Sequence, residues 1–335
     1  MSHSNSSLNC FANCMAKYKH NYILHSPPCK PPSPHLTFGS MAHEVLYKAG
    51  LLRDEVADGV VDKDKYYPII PSEVLYPDLK QTFDIDNWLE YFTAVIKETA
   101  KYEKSLIGDM IEEFNTSITI EREIKLQFTP DQMAEYGVLG LEQPFVGIID
   151  LLILGENCAT IIDYKFSSSR KTQDDFDMNS QLPLYAYFVH RLYDIPLHNI
   201  KYGYIDIPKQ SPGKPTVLTN GTLSRAKNQN VTQELYEKAV IAIHGDDEKY
   251  NCKPGGYYYD AWCNMALNKA AYLSVHYLDI DVVLNVSEDL FKTAQMIDRM
   301  IREGTPFLRK FDSYSCKGCE YIDSCKPWLG VNNDM

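Results

Sequence analysis

The chain has 335 residues, 44% apolar and 23% charged, which is globular composition and excludes bulk disorder. No apolar run reaches the roughly 18 to 20 residues of a membrane span. The opening segment has no apolar signal core, so the expectation is a cytoplasmic protein without a membrane partner. Lys plus Arg number 33 against 45 Asp plus Glu, a formal charge of −12. That balance argues against non-specific coating of nucleic acid but leaves room for a local basic groove.

Residues 1–35 begin Ser/Asn-rich, pass through an aromatic stretch at 11–22, and end in a loop bearing Pro27, Pro28, Pro31, Pro32 and Pro34. Proline removes a donor and fixes φ, so irregular backbone is expected there. A helix is predicted from Phe38, where Met41, Val45, Leu46 and Ala49 recur at helical spacing, with Gly50 as its stop. Residues 54–83 read as loop. A second helix is predicted over 86–114, with Trp88, Phe92, Val95 and Ile96 on one side.

The period then changes to two. Ile118, Ile120, Ile124, Leu126 and Phe128 alternate with polar residues as in a half-buried strand. A continuous apolar run over 146–154 is broken by one Asp, and a short strand follows at 159–165. Residues 176–193 read as a helix capped by Asn179 or Ser180, which leaves Pro183 in its first turn. A strand at 200–207 and a loop at 208–221 come next. Helices are predicted near 231–243, 258–275 and 286–303, the last stopped at Gly304-Thr305-Pro306. No internal repeat is present.

The chemistry concentrates in Gly147-Ile148-Ile149-Asp150 and Ile161-Ile162-Asp163-Tyr164-Lys165. Each Asp interrupts an apolar strand, where a carboxylate is costly unless it is paired or bound to a metal. Asp163 and Lys165 are two apart and share a strand face. If Glu156-Asn157 is a two-residue turn, residues whose numbers sum to 313 face each other, and Asp150 lies opposite Asp163. Like charges so placed repel. A divalent cation between them relieves the repulsion, and hard oxygen ligands suit Mg²⁺ or Mn²⁺. A lysine beside that cation would position the attacking water and stabilise charge growing on a phosphate. A one-residue slip would turn every side chain to the opposite face.

These residues resemble the PD-(D/E)XK nuclease superfamily in its RecB-like branch, which includes nuclease domains of recombination complexes and CRISPR-associated exonucleases. Phe38-Gly39-Ser40-Met41-Ala42-His43 is similar to the branch's first helix, and Gln181-Leu182-Pro183-Leu184-Tyr185 to its Gln-x-x-x-Tyr motif. The resemblance implies an α/β fold, a restriction-endonuclease-like mixed β-sheet flanked by helices. It implies that His43, Asp150, Asp163 and the Tyr164 carbonyl hold the metal and that Lys165 is the catalytic lysine. Gln181 and Tyr185, four apart on one helical face, would orient the lysine or contact DNA. Glu121 and Glu123 fit an exposed strand face and stay outside the expected site.

Nine cysteines in a chain of cytosolic character argue against a disulfide framework. Cys316, Cys319 and Cys325 form C-x2-C-x5-C, three soft ligands in a short loop. Ser7, Cys14, Tyr18 and Tyr22 resemble the stretch that supplies the fourth ligand in the iron–sulfur members of the branch. The resemblance therefore implies a [4Fe–4S] cluster on Cys14, Cys316, Cys319 and Cys325, with Cys10 as competitor for Cys14. Four cysteines would equally suit zinc.

The expected organisation is a single nuclease domain over 1–335. Residues 1–35 and 305–335 together form the cluster clamp, 38–207 the catalytic core and 208–304 a helical C-terminal part. Residues 215–227 resemble stretches of phage-encoded proteins of this kind, which places the chain in a bacterial host or phage-infected cell. The implied activity is a Mg²⁺- or Mn²⁺-dependent deoxyribonuclease acting as an exonuclease on single-stranded DNA ends, 5′→3′. Recombination, end processing or CRISPR adaptation would supply its protein partners. A catalytically silent iron–sulfur subunit that binds DNA or a partner, and an RNA nuclease, are the alternatives.

Overall fold

A computed structural model describes residues 1–31, 33–54, 79, 88–167, 172, 174–175, 178–209, 213–277, 279–310 and 316–325. The loop expected over 54–83 lies almost wholly outside them. The N-terminal segment winds into α1 (Asn5–Asn13) and α2 (Met15–Tyr18). Helix α3 (Pro34–Asp54) starts earlier than the periodicity indicates. Ser33 caps it, its hydroxyl accepting from Leu36 N–H, and Pro34 occupies the first position, where its missing donor costs nothing. The helix also runs through Gly50 instead of stopping. A Cβ there would meet the Arg122 guanidinium at 2.6 Å, so this glycine gives room to a neighbour and does not end the helix.

Helix α4 (Trp88–Phe114) leads into a five-stranded sheet: β1 (Thr119–Phe128), β2 (Phe145–Leu154), β3 (Ala159–Ser167), β4 (Ile200–Pro208) and β5 (Tyr272–Tyr277). The spatial order follows the chain. All neighbours are antiparallel except β3 and β4. Between β1 and β2 sits α5 (Pro130–Glu135), with Thr129 and Gln132 forming a capping box. A parallel pair needs a crossover, and α6 (Gln181–Tyr193) supplies it. Asn179 Oδ1 accepts from Leu182 N–H, while Ser180 holds the cap position without a side-chain bond.

Both faces of the sheet are covered. Ile149, Leu152 and Ile161 pack in one core with Phe188 of α6. Leu151, Ile153 and Ile162 pack in a second with Val45 of α3 and Phe92 of α4. Burial on both faces is why β2 reads as an unbroken apolar run.

The remaining chain forms α7 (Gln233–His244), α8 (Tyr259–Asn264) and α9 (Ile280–Glu303). The helix expected over 258–275 is corrected here. It ends at Asn264, and Tyr272–Tyr277 instead becomes the edge strand β5, paired along its inner side with β4. Helix α9 begins before the expected 286, capped by Asp279. A short α10 (Ile322–Cys325) closes the described chain. No helix is long and apolar enough to cross a membrane among the described residues.

Candidate active site

The β2–β3 hairpin turns at Glu156-Asn157, with Gly155 N–H donating to the Cys158 carbonyl at 2.9 Å. The ladder pairs Leu154 with Ala159 through Leu151 with Ile162 and then stops. One step further on, Asp150 swings its carboxylate onto the neighbouring backbone, where Oδ2 accepts from Tyr164 N–H at 2.8 Å. On the other side the β1–β2 ladder passes from Arg122–Leu151 to Ile124–Ile149, skipping Glu123 and Asp150. Glu123 there adopts φ 48°, a left-handed backbone that non-glycine residues avoid. The sheet is thus opened on both sides of Asp150.

Asp163 is buried, 4% exposed. Its Oδ2 lies 2.6 Å from Lys165 Nζ. Burial, and then the charge of Asp150, push its carboxyl up to about 6 against the pull of Lys165. The like-charge conflict read from the sequence is therefore present in the fold, and the lysine relieves it only in part. His43 on α3 reaches the same place, with Nδ1 3.4 Å from Asp150 Oδ1. Burial works against its charged form, but the hydrogen bond and charge of Asp150 outweigh it, so its pKa is raised.

Lys165 Nζ also donates to Gln181 Oε1 at 3.1 Å. Gln181 Nε2 donates in turn to the Tyr185 hydroxyl at 3.1 Å, which also accepts from Ile148 N–H at 3.4 Å. This relay runs from β3 across the first turn of α6 to β2. Gly147 makes it possible, because a Cβ there would come within 2.7 Å of the Tyr185 ring.

Beneath the strand, Tyr164 donates its hydroxyl to Glu103 Oε1 at 2.8 Å. Glu103 is buried and gripped by Arg53 at 2.6 Å and Arg122 at 2.7 Å. Burial alone would raise its pKa, but the two guanidinium charges outweigh it and lower it. The backbone that carries Asp163 and Lys165 is thereby anchored from the opposite face.

Sequence reasoning passed over two elements of this environment. Glu123 is raised by burial and then by the charge of Asp150, so it belongs to the electrostatic surroundings of the site. Its register opposite Asp150 was the available signal. The Glu103 network had none, because its members are distant in sequence.

His43, Asp150, Asp163, Lys165, Gln181 and Tyr185 are all brought to this one place, with the Tyr164 backbone among them. Two carboxylates and an imidazole are suitable donors for Mg²⁺ or Mn²⁺. Among the described residues, however, no three His, Cys, Asp or Glu side chains are gathered as closely as a metal ion requires.

The cysteines are less collected. Burial is the main cause of the raised pKa of Cys325; Cys319 adds to it, Arg309 opposes it, and Cys14 and Cys316 add further. The four thiols therefore lie in one region. Yet Cys316 Sγ contacts the Lys310 carbonyl at 3.4 Å, and Cys319 Sγ accepts from Tyr321 N–H at 3.4 Å. Protein contacts join the two ends of the chain: Ala16 N–H bonds to Leu308 O at 3.0 Å and Cys29 N–H to Glu320 O at 2.7 Å. Lys17 pairs with Glu320 at 3.1 Å, and Tyr18 stacks on Phe307.

An acidic pair and a lysine thus stand together at the opened part of a mixed sheet. Residues 2–326 match the PD-(D/E)XK nuclease superfamily, and the chain belongs to that family. Members are generally nucleases that use divalent metals such as Mg²⁺ or Mn²⁺. No curated protein matches the chain significantly. A solved structure described as "Crystal structure of SSO0001" is similar over 85% of this chain and 84% of its own, at 12% identity and a TM-score of 0.23. A likeness that low carries no argument.

Proposed function

We propose that the protein is a divalent-metal-dependent DNA exonuclease that hydrolyses phosphodiester bonds at single-stranded ends, with 5′→3′ polarity, in recombination or DNA end processing. The observation that carries this reading is Lys165, held between Asp163 at 2.6 Å and Gln181 at 3.1 Å beside the opened strand of Asp150. His43, Asp150, Asp163 and the Tyr164 carbonyl would hold Mg²⁺ or Mn²⁺. When bound, the cation supplies charge neutralisation at the phosphate and a water of lowered pKa.

The rest falls to the chain itself. Asp150 and Asp163 give the site its negative charge. Lys165 presents an ammonium toward charge developing on the phosphate, and Gln181 fixes the direction of that ammonium. Tyr185 fixes Gln181, so the glutamine and tyrosine act by positioning.

Cys14, Cys316, Cys319 and Cys325 are proposed to hold a [4Fe–4S] cluster that fastens the chain ends and takes no part in hydrolysis. The support is the donor set and the shared region of the four thiols. The cluster would act beside the protein contacts that join the ends, Ala16 to Leu308 and Cys29 to Glu320.

The test is anaerobic purification followed by incubation with end-labelled single-stranded DNA and Mn²⁺, beside Lys165→Ala and Asp163→Ala. Cutting by the wild type alone is expected, and the product ladder reads the polarity. Cutting by either variant at the wild-type rate would remove that residue from the mechanism. A folded wild type that cuts no nucleic acid would favour a silent binding subunit.

A further inference from the structure

Between β4 and β5 the chain leaves the sheet for residues 209–271. Pro208 pairs with Ser167, and Tyr272 pairs with Asp206, itself opposite Lys165. Both ends of the insert are therefore fixed at the end of the sheet where Lys165 stands. The insert has a core of its own, built from Leu223, Val231, Tyr236, Val240, Tyr258 and Met265.

Its charge differs from that of the rest of the chain. It holds eight Lys and Arg against six Asp and Glu, in a protein whose total is −12. Its tyrosines differ in exposure. Tyr236 and Tyr258 are fully buried. Tyr257 is 48% exposed, and the Arg225 guanidinium lies over its ring at 4.6 Å. Tyr250 meets Tyr257 edge-on at 6.0 Å, and Lys249 Nζ stands over Tyr250 at 5.2 Å. Two adjoining rings thus lie between two cations in one run from Arg225 to Lys249. Tyr250 is backed by His244, stacked at 4.3 Å, and Tyr257 N–H is tied to Lys249 O at 2.8 Å.

Cations to meet phosphates, flanking rings to stack on bases, are the components of a single-strand platform. The acidic groups beside the run set its polarity. Asp247 caps Lys249 N–H and Glu248 adjoins it, which weakens the field at that end. At the other end Asp260 faces Arg225 at 3.6 Å across an exposed surface.

We infer that the run Arg225–Tyr257–Tyr250–Lys249 is a binding surface for single-stranded DNA, which holds a strand beside the Lys165 end of the sheet. The inference rests on the nuclease reading above. Tyr257 stacks on a base and Arg225 contacts the adjoining phosphate. Asp260 opposes that phosphate, which gives the surface a signed test.

Binding of a short fluorescent thymidine oligonucleotide to the full-length protein is measured by anisotropy with chelator present, so that no cutting occurs, while cutting is assayed separately with Mn²⁺. Tyr257→Ala and Arg225→Ala are expected to weaken binding about tenfold each, and Arg225→Ala to flatten the salt dependence. Asp260→Asn is expected to tighten binding a few-fold. Circular dichroism and melting should stay at wild-type values, since these side chains are exposed.

Unchanged affinity in both weakening variants, with the wild type cutting normally, would overturn the surface and leave the nuclease reading standing. Weaker binding in these variants of a protein that never cuts would uphold the surface and sink the nuclease reading. A wild type that neither binds nor cuts would overturn both. Preference for a uridine ribo-oligonucleotide would overturn the choice of DNA.

Discussion

Asp163→Asn, in the metal-free protein, should raise stability. The carboxyl of Asp163 rises from its ordinary 3.8 to about 6, chiefly through burial and then through Asp150. A rise of that size corresponds to about 3 kcal/mol of penalty on the ionised form. Because the folded value lies above the unfolded one, the penalty is complete above about pH 6 and fades as pH falls toward 3.8. Asparagine removes the charge with little change of shape but must find a partner for its amide. The net gain near neutral pH is then about 1 to 3 kcal/mol, read as a Tm higher by a few degrees. Two controls sharpen the assay. The gap between variant and wild type should close as pH is lowered through the window from about 6 to about 4. Mn²⁺ should stabilise the wild type by about 2.7 kcal/mol at a hundred times its Kd, seen as a higher Tm, and leave the variant unmoved. A variant less stable than the chelated wild type at neutral pH, or a gap independent of pH, would refute the account of a strained acidic pair.

Three further outcomes are expected. Gly147→Ala drives a methyl group into the Tyr185 ring; it should cost about 1 to 3 kcal/mol of stability and lower the cutting rate without changing the residues that touch substrate, as melting and single-turnover rates will show. Glu103→Gln leaves Arg53 and Arg122 without their buried counter-charge and should destabilise the fold by about 3 to 5 kcal/mol in urea titration. The lowered pKa of Glu103 means that its stabilisation is present above the ordinary carboxylate range and lost as pH falls through the folded value, so the variant should show a shallower loss of stability in acid. Cys319→Ser should bleach the absorption near 400 nm of anaerobically purified protein; a colourless wild type carrying stoichiometric zinc would replace the iron–sulfur assignment and leave the nuclease assignment intact.

Local signals went far in the strands. The alternation over Ile118 to Phe128, the apolar run broken at Asp150 and the turn at Glu156-Asn157 are short-range features, and together they specify the hairpin register, which runs to Leu151–Ile162 and leaves Asp150 near enough to act on Asp163. The spacing of Gln181 and Tyr185 on one helical turn is local too. Periodicity misled where neighbours overruled it. Gly50 reads as a stop but sits inside α3, making room for Arg122. Residues 272–275 fall within an expected helix but belong to the strand β5, because β4 offers an edge to pair with.

The residue types of the site, their order and the faces they share were thus determined by the sequence, because strand and helix periods act over a few residues. Only the tertiary structure decided that His43 reaches Asp150 from a helix on the opposite side of the sheet, that Gln181 lies within hydrogen-bond distance of Lys165, and that Glu103 grips Tyr164 from below. Those contacts join segments far apart in the chain, and their geometry follows from how helices and sheet pack, which no local pattern encodes.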